Sequence, residues 1–509
     1  MSRDGARLDL RLVPAALTGW AVTAAAILWT IGPLLTASCA MVGLGWAALV
    51  RWRGAGAPVL RAGAVAVVGA ALVGSGFAVA ATLRSASVRD HPVAQRFGSV
   101  AAVTVTPGED PRPLANGRLM FRAALGELDG QPTSGGVIVF APALGFGELT
   151  AGRPTRFRAH IARPTRRDLT VAVLNASGEP ALGRASQLQR VARAVRVRFS
   201  EVARGALPAD QAAILPGLVL GDTSTVSAAT TAQFRTAGLT HLTAVSGANV
   251  TIVCGAVLLS AGLVGPRAAV GLAGVALVVF VFVVQPTASV LRAAVMGAIA
   301  LVAIVSGRRR QAIPVLAATV LGLLLVAPQL AVDAGFALSV SATAALVVLA
   351  PGWAARLIAR GWPKALAEAA CIALAAQLIT APLVAAISGR FSVVGVLANL
   401  AVAVVIPPIT VLGTAAAVVC SLSPAAAGLL IRFTGPELWW LLRVASVAAK
   451  LPGAAVPVPA GVAGVLTVGG VTLGAAVLWR SVKVGVGRCR PGVKRSSGER
   501  HGRPASDPG

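Results

Sequence analysis

The chain has 509 residues, 56% of them hydrophobic and only 12% charged. With a mean hydropathy of +0.79 it carries too few charges over too great a length for a water-soluble protein, which leaves a polytopic membrane protein. The balance is strongly basic, 45 Lys and Arg against 18 Asp and Glu for a formal net charge of +27, and this fits both positive-inside loops and a path for a polyanion.

The apolar runs 13–31 and 34–50 are split by Gly32-Pro33, a helix-breaking pair, and are predicted to form a hairpin of two spans. The first run is long enough to span and is followed at once by another, so it reads as an anchor and not as a cleaved signal. Arg3, Arg7 and Arg11 before the hairpin and Arg51 to Arg61 after it set both ends in the cytoplasm, and a third span, 62–83, then leads outside. Residues 1–83 are thus N-terminal transmembrane helices.

Residues 84–185 change character. SVAAVTVTP, RLMFRAALGEL, GGVIVFAP, TRFRAHIARP and DLTVAVLNA are short runs rich in Val, Phe and Thr, divided by Gly and Pro, and predict a small extracytoplasmic β-barrel or sandwich. Between residues 84 and 206 stand 18 Arg and no Lys against 9 Asp and Glu. The planar fork of Arg suits phosphate and stacks on bases, which makes Arg153, Arg156, Arg158, Arg166 and Arg167 candidate nucleic-acid contacts. Phe is the only aromatic type in this segment, so a spacer domain without ligand is the competing reading. Residues 186–206 place Leu188, Val191, Val195, Phe199 and Val202 at helical spacing with Arg190, Arg193 and Arg196 elsewhere, an amphipathic helix suited to a lipid surface.

The stretch LPGLVLGDTSTVSAATTAQFRTAGLTHLTAVSGANV, beginning at Leu215, gathers polar residues between apolar regions. Asp222, His241, Ser246 and Asn249 stand at the threshold of a long helix predicted from Leu242, where polar groups are costly unless they face a cavity or each other. Ser, His and Asp suggest a hydrolase, but in a continuous helix five residues turn Ser246 roughly 140° away from His241, out of hydrogen-bond reach. Ser246 and Asn249 share a face, and Gly247 admits a close backbone, which fits a tight helix crossing or a polar lining equally. Further apolar runs follow at 242–263, 268–284, 289–306, 312–327, 335–350, 365–387, 393–419, an interrupted pair around 425–450 counted as one crossing, and 458–479, giving about a dozen spans in all. Alternation from an outside start at 206 places Arg308 to Arg310, Arg356 to Lys364 and the basic tail, 481–509, in the cytoplasm. The tail lacks apolar periodicity and reads as disordered. The five Cys lack CxxC spacing and read mainly as small core residues; the four His are scattered, so neither metal nor cofactor is expected.

GLVLGD, then Phe234, then AGLTHLTAVSGANV resemble the central membrane domain of the ComEC-type competence proteins. PTASVLRAAVMG (286–297) is similar to a further family segment and puts Arg292 one turn inside a span, where it either snorkels outward or offers a phosphate a passing contact. APQLAVDAGFALSVSA (327–342) resembles another, with Asp333 placed to cap a helix and Ala327 and Ala337 standing where an Asp and a Gln are usual. AAQLITAPLV (375–384) and FSVVGVLANLAVAVVIPPITVLG (391–413) bring Gln377 and Asn399 as intramembrane amides, while Pro407 and Pro408 must interrupt helical hydrogen bonding. Asn249 occupies a position where the family often has His, which removes any proton or metal role for that position.

The resemblance covers roughly residues 95–480. It implies a polytopic α-helical inner-membrane protein with an inserted OB-like domain, whose channel domain, 207–480, imports single-stranded DNA during natural transformation. Its implied partners are single-stranded DNA, membrane lipid, a DNA receptor and an ATP-driven motor, and a homodimer is allowed. The Walker pattern GxxxxGK[ST] is absent, so the pulling force is expected from elsewhere. The His-x-His-x-Asp-His signature of the metallo-β-lactamase-like domain that ends many members is also absent, and no nuclease or other enzymatic activity is expected of this chain. A transporter of another solute and a closed assembly scaffold are the alternatives.

Overall fold

The computed structural model describes residues 9–29, 31–52, 58–243, 247–261, 265–284, 288–305 and 312–474. Ser246, Arg3, Arg7, Arg308 to Arg310 and the basic tail lie outside them.

The chain opens with α1 (Val13–Trp29), α2 (Gly32–Trp52) and α3 (Pro58–Arg89). Gly32 and Pro33 open α2, where the missing Pro N–H costs no helical bond. A Cβ on Gly32 would stand 1.9 Å from Thr82 Oγ1, so the start of α2 is pressed against α3. α1 is more than an anchor: the Trp20 indole donates to Ala331 O at 2.9 Å and its ring meets Phe336 edge-on at 5.3 Å.

Strands β1 (Val100–Pro107), β2 (Arg112–Pro113), β3 (Arg118–Leu128) and β4 (Gln131–Pro142), the short turn α4 (Ala143–Phe146), and strands β5 (Thr155–Ala162) and β6 (Thr170–Leu182) follow. Strict alternation along β1, β3 and β5 sends Val103, Val105, Phe121, Leu125, Phe157 and Ile161 to one buried side. The sheet runs β1-β5-β6-β4-β3 and closes because β1 also pairs with β3, so five strands form a barrel with β2 as a flap on β3. β4 and β6 are parallel and the other pairs antiparallel. Asp129 and Gly130, at φ 51° and 81°, make the two-residue hairpin between β3 and β4. Phe146 plugs the barrel, fully buried and edge-on to Phe157. Closure decides between barrel and sandwich, and it depends on a β1–β3 pairing that no local pattern announces.

Helix α5 (Gln187–Ala206) begins with a capping box between Ser186 and Gln189. Its Phe199 and Ala203 are fully buried among α6 (Ala209–Leu220), α16 (Ile406–Val419), α17 (Pro424–Phe433) and α18 (Gly435–Lys450), so the second half of the apolar face seats on protein, while Leu188 and Val191 at its start are exposed. Arg196 donates to Val283 O and Arg198 to Ser421 O, each at 3.2 Å. These carbonyls end α9 (Pro266–Val284) and follow α16, and the negative end of a helix favours a guanidinium there.

The remaining elements are α7 (Ala228–Thr236), α8 (Gly247–Ser260), α10 (Ala288–Val305), α11 (Ala312–Val326), α12 (Ala334–Val348), α13 (Ala350–Ile358), α14 (Lys364–Ser388), α15 (Gly395–Val402), and a last helix, α19 (Val462–Gly474). Between them β7 (Arg390–Ser392) pairs with β8 (Ala455–Pro457), a short ribbon in the connections between the predicted apolar runs. The predicted helix from Leu242 is corrected: 240–242 is a 3₁₀ turn, and α8 is described from Gly247 onward. Pro407 and Pro408 open α16, and α15 and α16 are bent by 54° across the break before them. Among the described residues four helices are long and apolar enough to cross a membrane, Val65–Arg96, Pro266–Val284, Ala334–Ile358 and Lys364–Ser388, and the bent pair makes up to five. The other apolar helices are shorter.

Gly413 on α16 crosses α6 so closely that a Cβ would lie 2.4 Å from Val219 Cγ2, and Val219 is buried and β-branched. Gly413→Ala is therefore expected to destabilise the purified protein by about 1–3 kcal/mol. Val219→Ala in the same chain should restore part of the loss, read as the unfolding midpoint in detergent.

Candidate functional site: an arginine-lined cavity between barrel and helices

A single continuous cavity of about 2890 Å³ separates one face of the barrel from the helical core. The barrel side is Gly108, Glu109 and Arg112 after β1, Met120 and Arg122 on β3, Ser134 to Gly136 on β4, and Arg166 to Thr170 before and at the start of β6. The helical side is built by α8, α10, α12, α14 and α15. Eight arginines, 84, 112, 122, 166, 167, 235, 292 and 390, line it against the carboxylates Glu109, Asp168 and Asp333.

Two contacts join the sides. Arg167 Nη1 donates to Leu28 O at the end of α1, 2.7 Å. Arg122 Nη1 stands 3.7 Å from Asp333 Oδ2. Asp333 also caps α12, its Oδ1 accepting from Phe336 N at 2.8 Å, so one carboxylate serves the helix start and the barrel. On the barrel, Glu109 holds Arg112 at 2.7 Å and accepts from the Arg122 backbone at 3.4 Å.

Arg292 on α10 is 5% exposed. Its Nη1 donates to Ser339 O at 2.5 Å and to Thr343 Oγ1, both on α12. Gly247 on α8 lies so near that a Cβ would be 3.1 Å from Arg292 Nη2. A side chain at the glycine of SGANV would press on the Arg292 guanidinium.

His241 lines the cavity and is exposed to it, but protein surrounds it. Burial pushes its imidazole below the usual value, opposed by a hydrogen bond with the Gly238 backbone. Gln377 Nε2 donates to Ser392 O at 3.3 Å, and Asn399 Nδ2 to Gly395 O at 2.7 Å and Gly238 O at 3.4 Å. Ser392 Oγ donates to Thr236 O at 2.8 Å. Gly238, at φ +73°, has Gly395 Cα only 3.1 Å from where a Cβ would sit. Both amides therefore line the cavity while spending their N–H groups on main-chain carbonyls.

The other sequence candidates stand elsewhere. Asp222 is outside the cavity lining, in a loop where Oδ1 accepts from Ser224 N at 3.0 Å and Ser224 Oγ at 2.6 Å. Asn249 is buried and donates to Leu218 O at 2.9 Å, tying α8 to the end of α6. Arg156 and Arg158 point outward on β5, and Arg153 Nε bonds Gly183 O at 2.9 Å; none lines the cavity, whereas Arg166 and Arg167 do. Sequence reasoning passed over Arg84, Arg112, Arg122, Arg235 and Arg390. Alternation along β3 marks Arg122 as outward, but what it faces is a long-range fact.

Long apolar helices around a largely apolar cavity set with arginines, joined to a small closed barrel, define the class of a membrane-associated helical protein. The chain belongs to the competence protein family, whose sequence model matches residues 218–483. No curated protein and no solved structure matches it. The matched region holds α8 to α18 and so the helical side of the cavity.

Asn caps helices about as well as Asp, so Asp333→Asn keeps the cap and discards the charge. Thermal unfolding should leave Asp333→Asn near the parent and cost Asp333→Ala about 1 kcal/mol. A double-mutant cycle with Arg122→Gln should give a coupling below about 1 kcal/mol that fades with salt, since the pair is partly exposed.

Proposed function

We propose that this competence protein is the inner-membrane component through which single-stranded DNA is imported during natural transformation, with the arginine-lined cavity as the passage. The observation that carries the reading is the continuity of that cavity from the barrel face to the buried Arg292. Counting the five closed strands in chain order, the barrel surface on the cavity belongs to the second and third strands with the loops joining first to second and fourth to fifth. OB-folds hold oligonucleotides on that surface.

In this reading the barrel is extracytoplasmic and OB-like, about a dozen apolar segments cross the membrane, and the N-terminus and tail are cytoplasmic. A DNA receptor delivers the strand and an ATP-driven partner pulls it. Transport, not bond cleavage, is the chemistry: His241 lines the cavity while Asp222 does not, so the residues of a hydrolytic triad are not gathered there. Moving a phosphate into a low-dielectric slab costs several kcal/mol, and an arginine at 4 Å offsets about 4 kcal/mol at an effective dielectric of 20.

The test is uptake of labelled DNA into a nuclease-protected cytoplasmic pool at matched membrane levels of protein. Deletion is expected to abolish the pool, and Arg112→Gln with Arg122→Gln and Arg166→Gln to deplete it strongly. For the purified protein, the same triple change should flatten the slope of log affinity for oligothymidylate against log salt by roughly 2. Undiminished uptake in the deletion strain would sink the import role.

A further inference from the structure

Arg292 is the one buried arginine of the cavity, and among the described residues no ion pair involves it. A buried cation without a counter-charge is expensive, and the cost falls when an anion joins it. The guanidinium is used on one side only. Nη1 is committed to Ser339 O and Thr343 Oγ1, which fixes its orientation, while Nε is buried and finds no partner. The edge formed by Nε and Nη2 is the fork with which arginine grips two oxygens of one phosphate. Nη2 lies against Gly247 on α8.

We propose that Arg292, beside Gly247 of α8, forms a built site for a phosphodiester monoanion at the inner part of the cavity. Resting on the DNA-passage reading, this names the chemical group gripped and the place. The vacant fork receives two non-bridging oxygens of one phosphate, with Gly247 of α8 beside it. Held by α12 in one orientation, the guanidinium loses little freedom on binding, and the contact is a single one, so the next phosphate can replace the last.

Two sources share this chemistry, the DNA backbone and the headgroup of an anionic phospholipid. The full-length protein in a phosphate-free maltoside detergent would be titrated with dimethyl phosphate, with unfolding midpoint and calorimetric binding as readouts. A saturable rise in the parent is expected, with affinity weakened about tenfold or more in Arg292→Gln, the loss of one charge-assisted fork. Arg292→Lys should recover part of it. Gly247→Ala, which leaves the charge but pushes a methyl against Nη2, should weaken binding while the protein remains folded by its unobstructed midpoint without ligand. Competition by oligothymidylate identifies the DNA backbone as occupant, and competition by short-chain phosphatidylglycerol alone identifies lipid; either upholds the site. An equal response in Arg292→Gln, or none in the parent, overturns it. DNA uptake lost on deletion together with no dimethyl phosphate response would remove this site and leave the import role standing, and the reverse result would do the opposite.

Discussion

Guanidinium groups ending on main-chain carbonyl oxygens hold this molecule together where carboxylates are too few to do it. Arg167 ends on Leu28 O, Arg196 on Val283 O, Arg198 on Ser421 O and Arg292 on Ser339 O. In each case the acceptor belongs to a different element, and Leu28 and Val283 lie in the last turn of theirs. Helix ends carry unsatisfied carbonyls and partial negative charge, so a long donor with a fixed positive charge is a suitable partner. With 45 basic against 18 acidic residues, pairing every arginine with a carboxylate is arithmetically closed to this chain.

The consequence is a division of labour among the polar residues of the core. Gln377, Asn399, Asn249 and Ser392 donate to backbone carbonyls, which keeps helices and loops in register where apolar packing has no direction. The rare carboxylate is used twice: Asp333 starts α12 and meets Arg122 across the cavity. α12 then holds Arg292, so the barrel contact, the cap and the buried cation share one helix.

What the sequence could show followed from local rules. Gly32-Pro33 marks the break before α2, alternation marks β1, β3 and β5, and the position of Asp333 before a long apolar run marks the cap, because each depends on neighbours within one turn or one strand. The barrel's closure, the β7–β8 ribbon and the seat of α5 depend on partners far along the chain, and periodicity does not name a partner. The turn before α8 was missed for a similar reason. Leu242 and Thr243 are apolar or helix-compatible, and the 3₁₀ turn at 240–242 follows the close approach of Gly238 to Gly395, a partner far along the chain. The candidate site divided on the same line: His241, Gly247, Arg292, Asp333, Gln377 and Asn399 meet at one cavity, while Asp222 and Asn249 serve turn and packing.

The distribution of charge along the cavity bears on what it can select. Seven of its eight arginines are exposed and only Arg292 is buried. Exposed guanidiniums act over about a Debye length and gather polyanions of any sequence, whereas a buried one acts at contact and in a fixed direction. Beyond them the lining offers amides already bonded to backbone and few aromatic platforms, so little there can read a base edge. Such a lining discriminates by the sign and spacing of charge and not by sequence. On the proposed reading this is what a passage for DNA of arbitrary origin requires, because a strand bound tightly at any one base could not move on.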